Sequence, residues 1–480
     1  MKLNLLNNNL KNLLLYGGSD SDSNSDSNSN INYILILIFV IIVFLSICIY
    51  YFIYSQPKNT TSEDQSKSVG QSNSVINYNL IDNGLLEKIY NDGDIIGSNS
   101  ALISTSSEWN NGIFKASSDG IYLINASFFI NAKIPGTRIS LLVNNKLRYV
   151  IIEEDSQVIA GATLRTYSRV EQLYKGDTLM FKSANGFIVF FGSDDHSHSN
   201  ISITKLNINN YYNLIENNGG NITYYNGGHI GSNSALISTS SEWNSNTGIF
   251  TASSDGIYLI NASFYINNKS GGRVSLVLKN KTRYVIVEGK GIKGSTLRTY
   301  SIVEKLSKGD TLYFDATDGL LVFFGNDNNS HSNFTITKLN INVNNYYSLI
   351  ENSVNNITYN NGDIIGSKSS LISTSSEWNR NTGIFTASSD GIYLINVSFF
   401  INGKSPSTRI SLLVNNKIRY CVIEDNPNTI GGETLRTYSR VEQLNKRDTL
   451  CFKVTLGNNF IVFFGSDNSS HSNFTITKLN

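Results

Sequence analysis

Charge of either sign is scarce in this 480-residue chain: 38 Lys and Arg face 37 Asp and Glu, the formal net charge is +1, and only 16% of residues are charged. Without a basic excess to displace counterions from phosphates, nucleic-acid binding driven by net charge is excluded. Three cysteines cannot build a disulfide framework, and no C-x-x-C pair is present to hold zinc. Four prolines, and glycine without a three-residue period, exclude collagen. The sequence has no G-x-S-x-G elbow, no H-E-x-x-H and no Walker loop, so it reads as a binder and not an enzyme. With 40% hydrophobic and 11% aromatic residues there is ample material for packed cores, and global disorder is excluded.

One long apolar run stands out. Tyr33 to Tyr54 is 22 residues without a charge, enough at about 1.5 Å per residue to cross roughly 30 Å of hydrocarbon. Tyr33 at one end and Tyr50, Tyr51 and Tyr54 at the other suit the headgroup level. The run follows the acidic stretch Ser19 to Asn30, not the basic region of a signal peptide. Residues 31–54 are therefore expected to form a transmembrane helix, after a polar Asn/Ser/Asp-rich tail at 1–30 and before a flexible stalk at 55–78. Lys2 and Lys11 on the short side balance Lys58 and Lys67 on the long side, so charge does not set the orientation.

Beyond the stalk the chain repeats itself. Trp109, Trp243 and Trp378 recur at intervals of 134 and 135 residues, each within STSSEWN, and ASSDGIYLIN, TLRTYS and VFFG keep the same register. A period this long exceeds that of solenoids, so each copy is expected to be a domain: 79–210, 211–345 and 346–480. Within a copy the hydrophobic period is two. Tyr122, Ile124, Ala126, Phe128 and Ile130 alternate with more polar neighbours, as do Ile139, Leu141 and Val143, and turn residues such as Lys175-Gly176-Asp177 separate the runs. The fold class is all-β: three tandem antiparallel jelly-roll sandwiches preceded by one transmembrane helix.

The residues that carry this pattern resemble a known family. GIFKASSDGIYLINASFFI, then RISLLVNNK, YKGDTLMFKSANG, FIVFFGSDD and a closing SNISITKL are similar to the globular head of complement C1q and its tumour necrosis factor relatives, over about 92–206, 227–339 and 361–479. The most specific matches are Gly112, Phe114, Gly120 and Tyr122, with Gly176-Asp177 before the next strand; the third copy has Arg447-Asp448 in place of Gly-Asp. The resemblance implies a ten-stranded jelly roll and trimers built around a threefold axis. Three copies in one chain would then form a pseudo-trimer within the polypeptide, against the alternatives of beads on a string or an oligomer of several chains. Tyr211–Gly228 and Tyr346–Gly362 read as connectors of about 18 residues, long enough to permit it.

Candidate sites follow from what recurs and what differs. Asp194 and His198, Asp327 and His331, and Asp467 and His471 share one spacing and would form a divalent cation site if the three pairs met near the axis; the resemblance implies calcium as that cation. Otherwise no cofactor is expected, and the bland reading of these pairs is a turn. After Arg148-Tyr149 the copies diverge, which makes Glu153, Glu154, Asp155, Lys290, Lys293, Glu424 and Asp425 the preferred ligand-contacting rim. Sequons at Asn125, Asn261 and Asn396 mark expected glycosylation. The recurring Trp reads as a packing residue in preference to a sugar platform, and Cys421 and Cys451 read as small apolar groups or one bridge if their strands adjoin. The functional expectation is a single-pass membrane protein with its C-terminal domains extracellular or lumenal, binding a protein or glycan ligand. The alternative is a structural component of a virion surface or extracellular coat.

Overall fold

The structure, a computed structural model, describes residues 76–480 apart from short segments, among them 132–135, 155–161, 194–195, 289–294, 325–330, 403–407, 426–432, 467–468 and 471. The tail, the apolar run at 31–54 and the chain up to residue 75 lie outside the described residues, and the expected transmembrane helix with them. Among the described residues no helix is long and apolar enough to cross a membrane.

Each repeat is a pair of facing antiparallel sheets. In the second, one sheet runs in the order Leu236–Ile237, Asn210–Glu216, Asn333–Leu339, Gly256–Asn267 and Ser295–Leu306, extended by Leu320–Phe323 and Asn221–Tyr224. The other runs Trp243–Asn244, Ile249–Thr251, Thr311–Ala316, Arg273–Leu278 and Lys281–Glu288. The first and last strands of the repeat lie side by side, Tyr212 opposite Ile336, as jelly-roll connectivity requires. Two stretches read as connectors are therefore corrected. Asn210–Glu216 and Tyr346–Glu351 are the opening strands of the second and third repeats, and their Asn and Tyr residues had hidden any apolar alternation in the sequence. Likewise Ile76–Asp82 opens the first repeat, its first three residues falling in the expected stalk. Only residues 207–209 join the first two repeats, about 10 Å of chain at roughly 3.3 Å per residue.

The alternation places one side of each long strand in a core of its own repeat. Along Gly256–Asn267, Tyr258, Ile260, Ala262, Phe264 and Ile266 join Trp243, Phe314 and Phe334. Trp243 meets Phe334 edge-on at 5.2 Å, and its indole Nε1 donates to the Leu236 carbonyl at 2.9 Å. Burying each such ring contributes about 1.5–3 kcal/mol. The Trp side chains are 6–7% exposed, so the packing reading holds for all three. The SSDG-x-Y motif closes a corner: the hydroxyls of Tyr122, Tyr258 and Tyr393 each donate to a Ser carbonyl four residues back at 2.8 Å. Gly112 is required by its surroundings, because its φ is +85° and a Cβ would come within 2.7 Å of Ile95.

The opposite side of the same long strand is buried too, which a lone sandwich with one solvated face would not show. Ile257, Leu259 and Val303 gather with Leu123 and Val170 of the first repeat and Leu394 and Val441 of the third in one apolar cluster shared by all three. Beside it lies a closed polar ring. Ser168 Oγ is 2.7 Å from Asn125 Oδ1 and 2.9 Å from Asn261 Oδ1; Ser301 links Asn261 and Asn396 at 2.7 and 2.8 Å; Ser439 links Asn396 and Asn125 at 2.7 and 2.9 Å. Three hydroxyl protons face six oxygen–oxygen contacts, so each hydroxyl is shared between the amide oxygen of its own repeat and that of a neighbour. A second ring follows one pleat further on: Thr166 Oγ1 donates to the Thr437 carbonyl, Thr437 to that of Thr299, and Thr299 to that of Thr166, at 2.6–2.8 Å.

Candidate functional site at the seams between repeats

Each repeat meets the next at a seam where an inner-sheet edge abuts the outer-sheet edge of its neighbour. Thr296 bridges to Glu154, and Thr163 to Asp425. Two families of sequence-predicted residues converge here. His198 Nε2 of the first repeat lies 2.7 Å from Glu424 Oε2 of the third, and His331 Nε2 of the second lies 3.0 Å from Glu153 Oε2 of the first. The rings stack on neighbouring aromatics, His198 on Phe129 at 5.2 Å and His331 on Tyr265 at 5.3 Å. Arg138 and Arg409 hold the other oxygens of Glu153 and Glu424 at 2.8 and 2.7 Å.

These contacts correct two expectations. The two described histidines do not gather at one axial cation site; they sit at separate seams, each on a carboxylate already claimed by an arginine. Glu153 and Glu424 are not rim groups open to a ligand, since their side chains are only 12–13% exposed and are engaged across the seam. Burial alone would raise both carboxyl pKa values, but the hydrogen bonds from histidine and arginine outweigh it: Glu153 is lowered, and Glu424 is lowered to about 2. Asp155, Asp194, Lys290, Lys293, Asp327, Asp467 and His471 lie outside the described residues, as do the side chains of Glu154 and Asp425. At one seam Cys421 Sγ adds a third ligand type, 3.3 Å from Glu424 Oε2. His198, Cys421 and Glu424 thus approach one another as a metal trio would, although Arg409 on the same carboxylate disfavours a cation. Cys421 and Cys451 form no bridge, because their strands flank Thr408–Val414 on opposite sides.

Glycosylation at Asn125, Asn261 and Asn396 is also corrected. These side chains are 1–2% exposed and form the central ring, so a glycan on any of them is incompatible with the fold. An Asn recurring in the middle of an otherwise apolar strand was the sequence signal for a buried polar network. Arg169 and Arg440 escaped sequence reasoning altogether. Each lies 3.7 Å from a tyrosine ring, Tyr149 or Tyr420, and donates to that hydroxyl at 2.8 or 2.7 Å. Each also crosses a seam, Arg169 to Asn333 of the second repeat and Arg440 to Asn200 of the first. The second repeat has Ile302 at this position, and there burial pushes the Glu304 carboxyl up against the opposing hydrogen bond from Tyr284. The signal was visible as TLRTYSI among copies reading TLRTYSR.

Comparison with known proteins bears on this geometry. The C1q domain model matches residues 222–335. Among solved structures, Eiger TNF from S. frugiperda is 14% identical, with 28% of this chain and 92% of that chain covered at a TM-score of 0.23. The globular domain of zebrafish complement 1qA is 13% identical, with 28% and 97% covered at 0.21. The triple jelly roll of an archaeal virus turret is 11% identical, with 84% and 91% covered at 0.18. At such TM-scores these likenesses carry nothing about function. No curated protein matches the chain. The second repeat is C1q-like, the first and third share its strand order, and a domain of this kind supports a general role in recognition or binding.

Proposed function

We propose that the chain is a membrane-anchored surface protein whose three C1q-like repeats act together as one recognition head, an intramolecular trimer that binds a protein or glycan ligand outside the membrane. The observation that carries this reading is the closed Ser168, Ser301 and Ser439 ring, in which every repeat bonds to both others. In a lone sandwich this strand face would meet water, and neither its burial nor the bonds from one repeat to the next would exist. Ligand contact is assigned to the segments following Lys146–Glu154, Lys281–Glu288 and Lys417–Asp425, where the repeats diverge in sequence. No reaction is assigned, because His198, His331, Glu153 and Glu424 are engaged with one another across the seams.

Protease added to sealed, right-side-out vesicles carrying the full chain is expected to cut within the repeats while an N-terminal epitope stays protected. Protection of the repeats would overturn the surface placement. Sedimentation is expected to show one chain per particle, and exchanging segment 155–161 with 289–294 is expected to change which arrayed proteins or glycans the chain retains. A particle of three chains would reject the intramolecular trimer, and unaltered retention after the exchange would reject the loop assignment.

A further inference from the structure

Asn221 and Asn356 open equivalent strands, Asn221–Tyr224 and Asn356–Tyr359, at the edge of the inner sheet of the second and third repeats, paired with Leu320–Phe323 and Phe460–Phe463. We infer that these two residues, together with Asn280, carry N-linked glycans, so that sugar covers the second and third repeats and leaves the first bare. The inference rests on the placement of the repeats outside the membrane.

Burial sorts the N-x-S/T sequons of the described residues. Asn125, Asn200, Asn261, Asn333, Asn396 and Asn473 are 1–3% exposed, and a glycan on any of them has no room. At the two edge strands the order is reversed: Asn and Thr are exposed, the Ile between them is half-buried, and the closing Tyr is buried. Alternate side chains of a strand share a face, so the acceptor amide and the Thr hydroxyl two residues on stand together on the open side. Asn280 is presented differently. Lys279 and Asn280, at φ 53° and 59°, make the two-residue turn between Arg273–Leu278 and Lys281–Glu288, and Asn280 and Thr282 are exposed there. The matching turns of the other repeats keep the Asn but have Leu147 and Ile418 in place of the Thr, so only the second repeat offers an acceptor.

The position of the edge-strand sequons also gives them a use. An open strand edge offers backbone groups to other chains, and charge or bulk placed on it discourages that pairing. In the first repeat the corresponding strand is Glu87–Tyr90, where Ile89, 65% exposed, stands in place of Thr223 and Thr358 and no sequon exists. That edge carries Glu87 and Lys88 instead, with the Lys88 ammonium donating to the Ser98 carbonyl at 2.9 Å. Charge guards one edge, and sugar guards the other two. The modification is a glycosyl transfer from a lipid diphosphate-linked oligosaccharide. The Asn Nδ2 bonds to the anomeric carbon, the bond from that carbon to the diphosphate oxygen breaks, the lipid diphosphate leaves, and one amide proton is lost to base.

The test is expression of the full chain in a eukaryotic cell line, release of glycans by peptide N-glycosidase in heavy-oxygen water, and peptide mass mapping. Conversion to heavy-labelled aspartate is expected at Asn221, Asn280 and Asn356 and at none of the six buried sequons. N221Q, N280Q and N356Q are each expected to lose one glycan per chain on a gel, and T223A and T358A to do the same with the asparagine intact. The graft E87N/I89T is expected to gain one on the bare edge of the first repeat. An unmodified Asn221, Asn280 or Asn356 in repeats that protease cuts on sealed vesicles would overturn this inference alone. Unmodified asparagines in repeats that the vesicle protects would overturn it together with the surface placement. A glycan at any buried sequon, or no gain by the graft, would overturn the sorting by exposure.

Discussion

Replacing Glu424 by Gln tests whether the seam between the first and third repeats is held electrostatically. The carboxyl sits at about 2 instead of its ordinary 4.5 because His198 and Arg409 together outweigh its burial. At roughly 1.4 kcal/mol per tenfold in proton affinity, that corresponds to about 3 kcal/mol of folding free energy. Sharing of the charge between two partners reduces the expected loss in E424Q to about 2–3 kcal/mol at pH 7. The sign follows from the direction of the shift. A carboxyl held low contributes fully above its ordinary value and loses the contribution as pH falls towards the folded one, so near pH 3 the gap between wild type and variant shrinks to roughly half. Urea unfolding of the full chain, followed by tryptophan fluorescence at both pH values, reads this directly. A loss below about 0.5 kcal/mol at pH 7, or an equal loss at both pH values, would refute the argument.

Asn261→Ala removes an amide oxygen shared by Ser168 and Ser301, and is expected to destabilise the chain by about 2–4 kcal/mol in the same assay; a change under about 0.5 kcal/mol would show that the ring contributes nothing. Arg447 holds φ +75° where the other repeats have Gly176 at +93° and Gly309 at +86°. Arg447→Gly is expected to stabilise the third repeat by about 1 kcal/mol, and an unchanged unfolding midpoint would exclude strain there. Ile302→Arg places a cation beside Glu304, whose raised carboxyl favours the folded state at low pH and loses that advantage as pH rises through its folded value. The variant is expected to gain about 1–2 kcal/mol more at pH 8 than at pH 5, and a pH-independent effect would remove the coupling.

The within-repeat sandwich was legible because alternation such as Tyr122, Ile124, Ala126, Phe128 and Ile130 reports a face that is always buried. The opening strands were not, since NYYNLIE at Asn210–Glu216 mixes Asn and Tyr with few aliphatic residues, and such a polar stretch reads as a linker. The seams were illegible for a different reason. A histidine in one repeat and a glutamate in another are separated by 226 positions in the His198–Glu424 pair, and period and spacing within a repeat say nothing about which copy faces which. Buried Asn125 looked like a surface sequon because the tripeptide that attracts a glycan also supplies the donors and acceptors of a buried network. Divergence after Arg148 was read as exposure throughout; Glu153 and Glu424 show that residues leading into a variable segment can be anchored across a seam.

Fusion gives each seam its own genetic address. In an assembly of identical chains one substitution strikes every joint at once, whereas here the joint between the second and third repeats carries Ile302 while the other two retain arginine. The two joints between consecutive repeats are also tied by short stretches of backbone. The joint that closes the circle, between the last repeat and the first, has no such tether, although Arg440, His198 and Glu424 hold it as Arg169, His331 and Glu153 hold the joint between the first and second repeats. Mechanical load on the head would therefore be resisted by covalent chain at two joints and by non-covalent contacts alone at the third, which makes the tetherless joint the natural gate should the ring ever open.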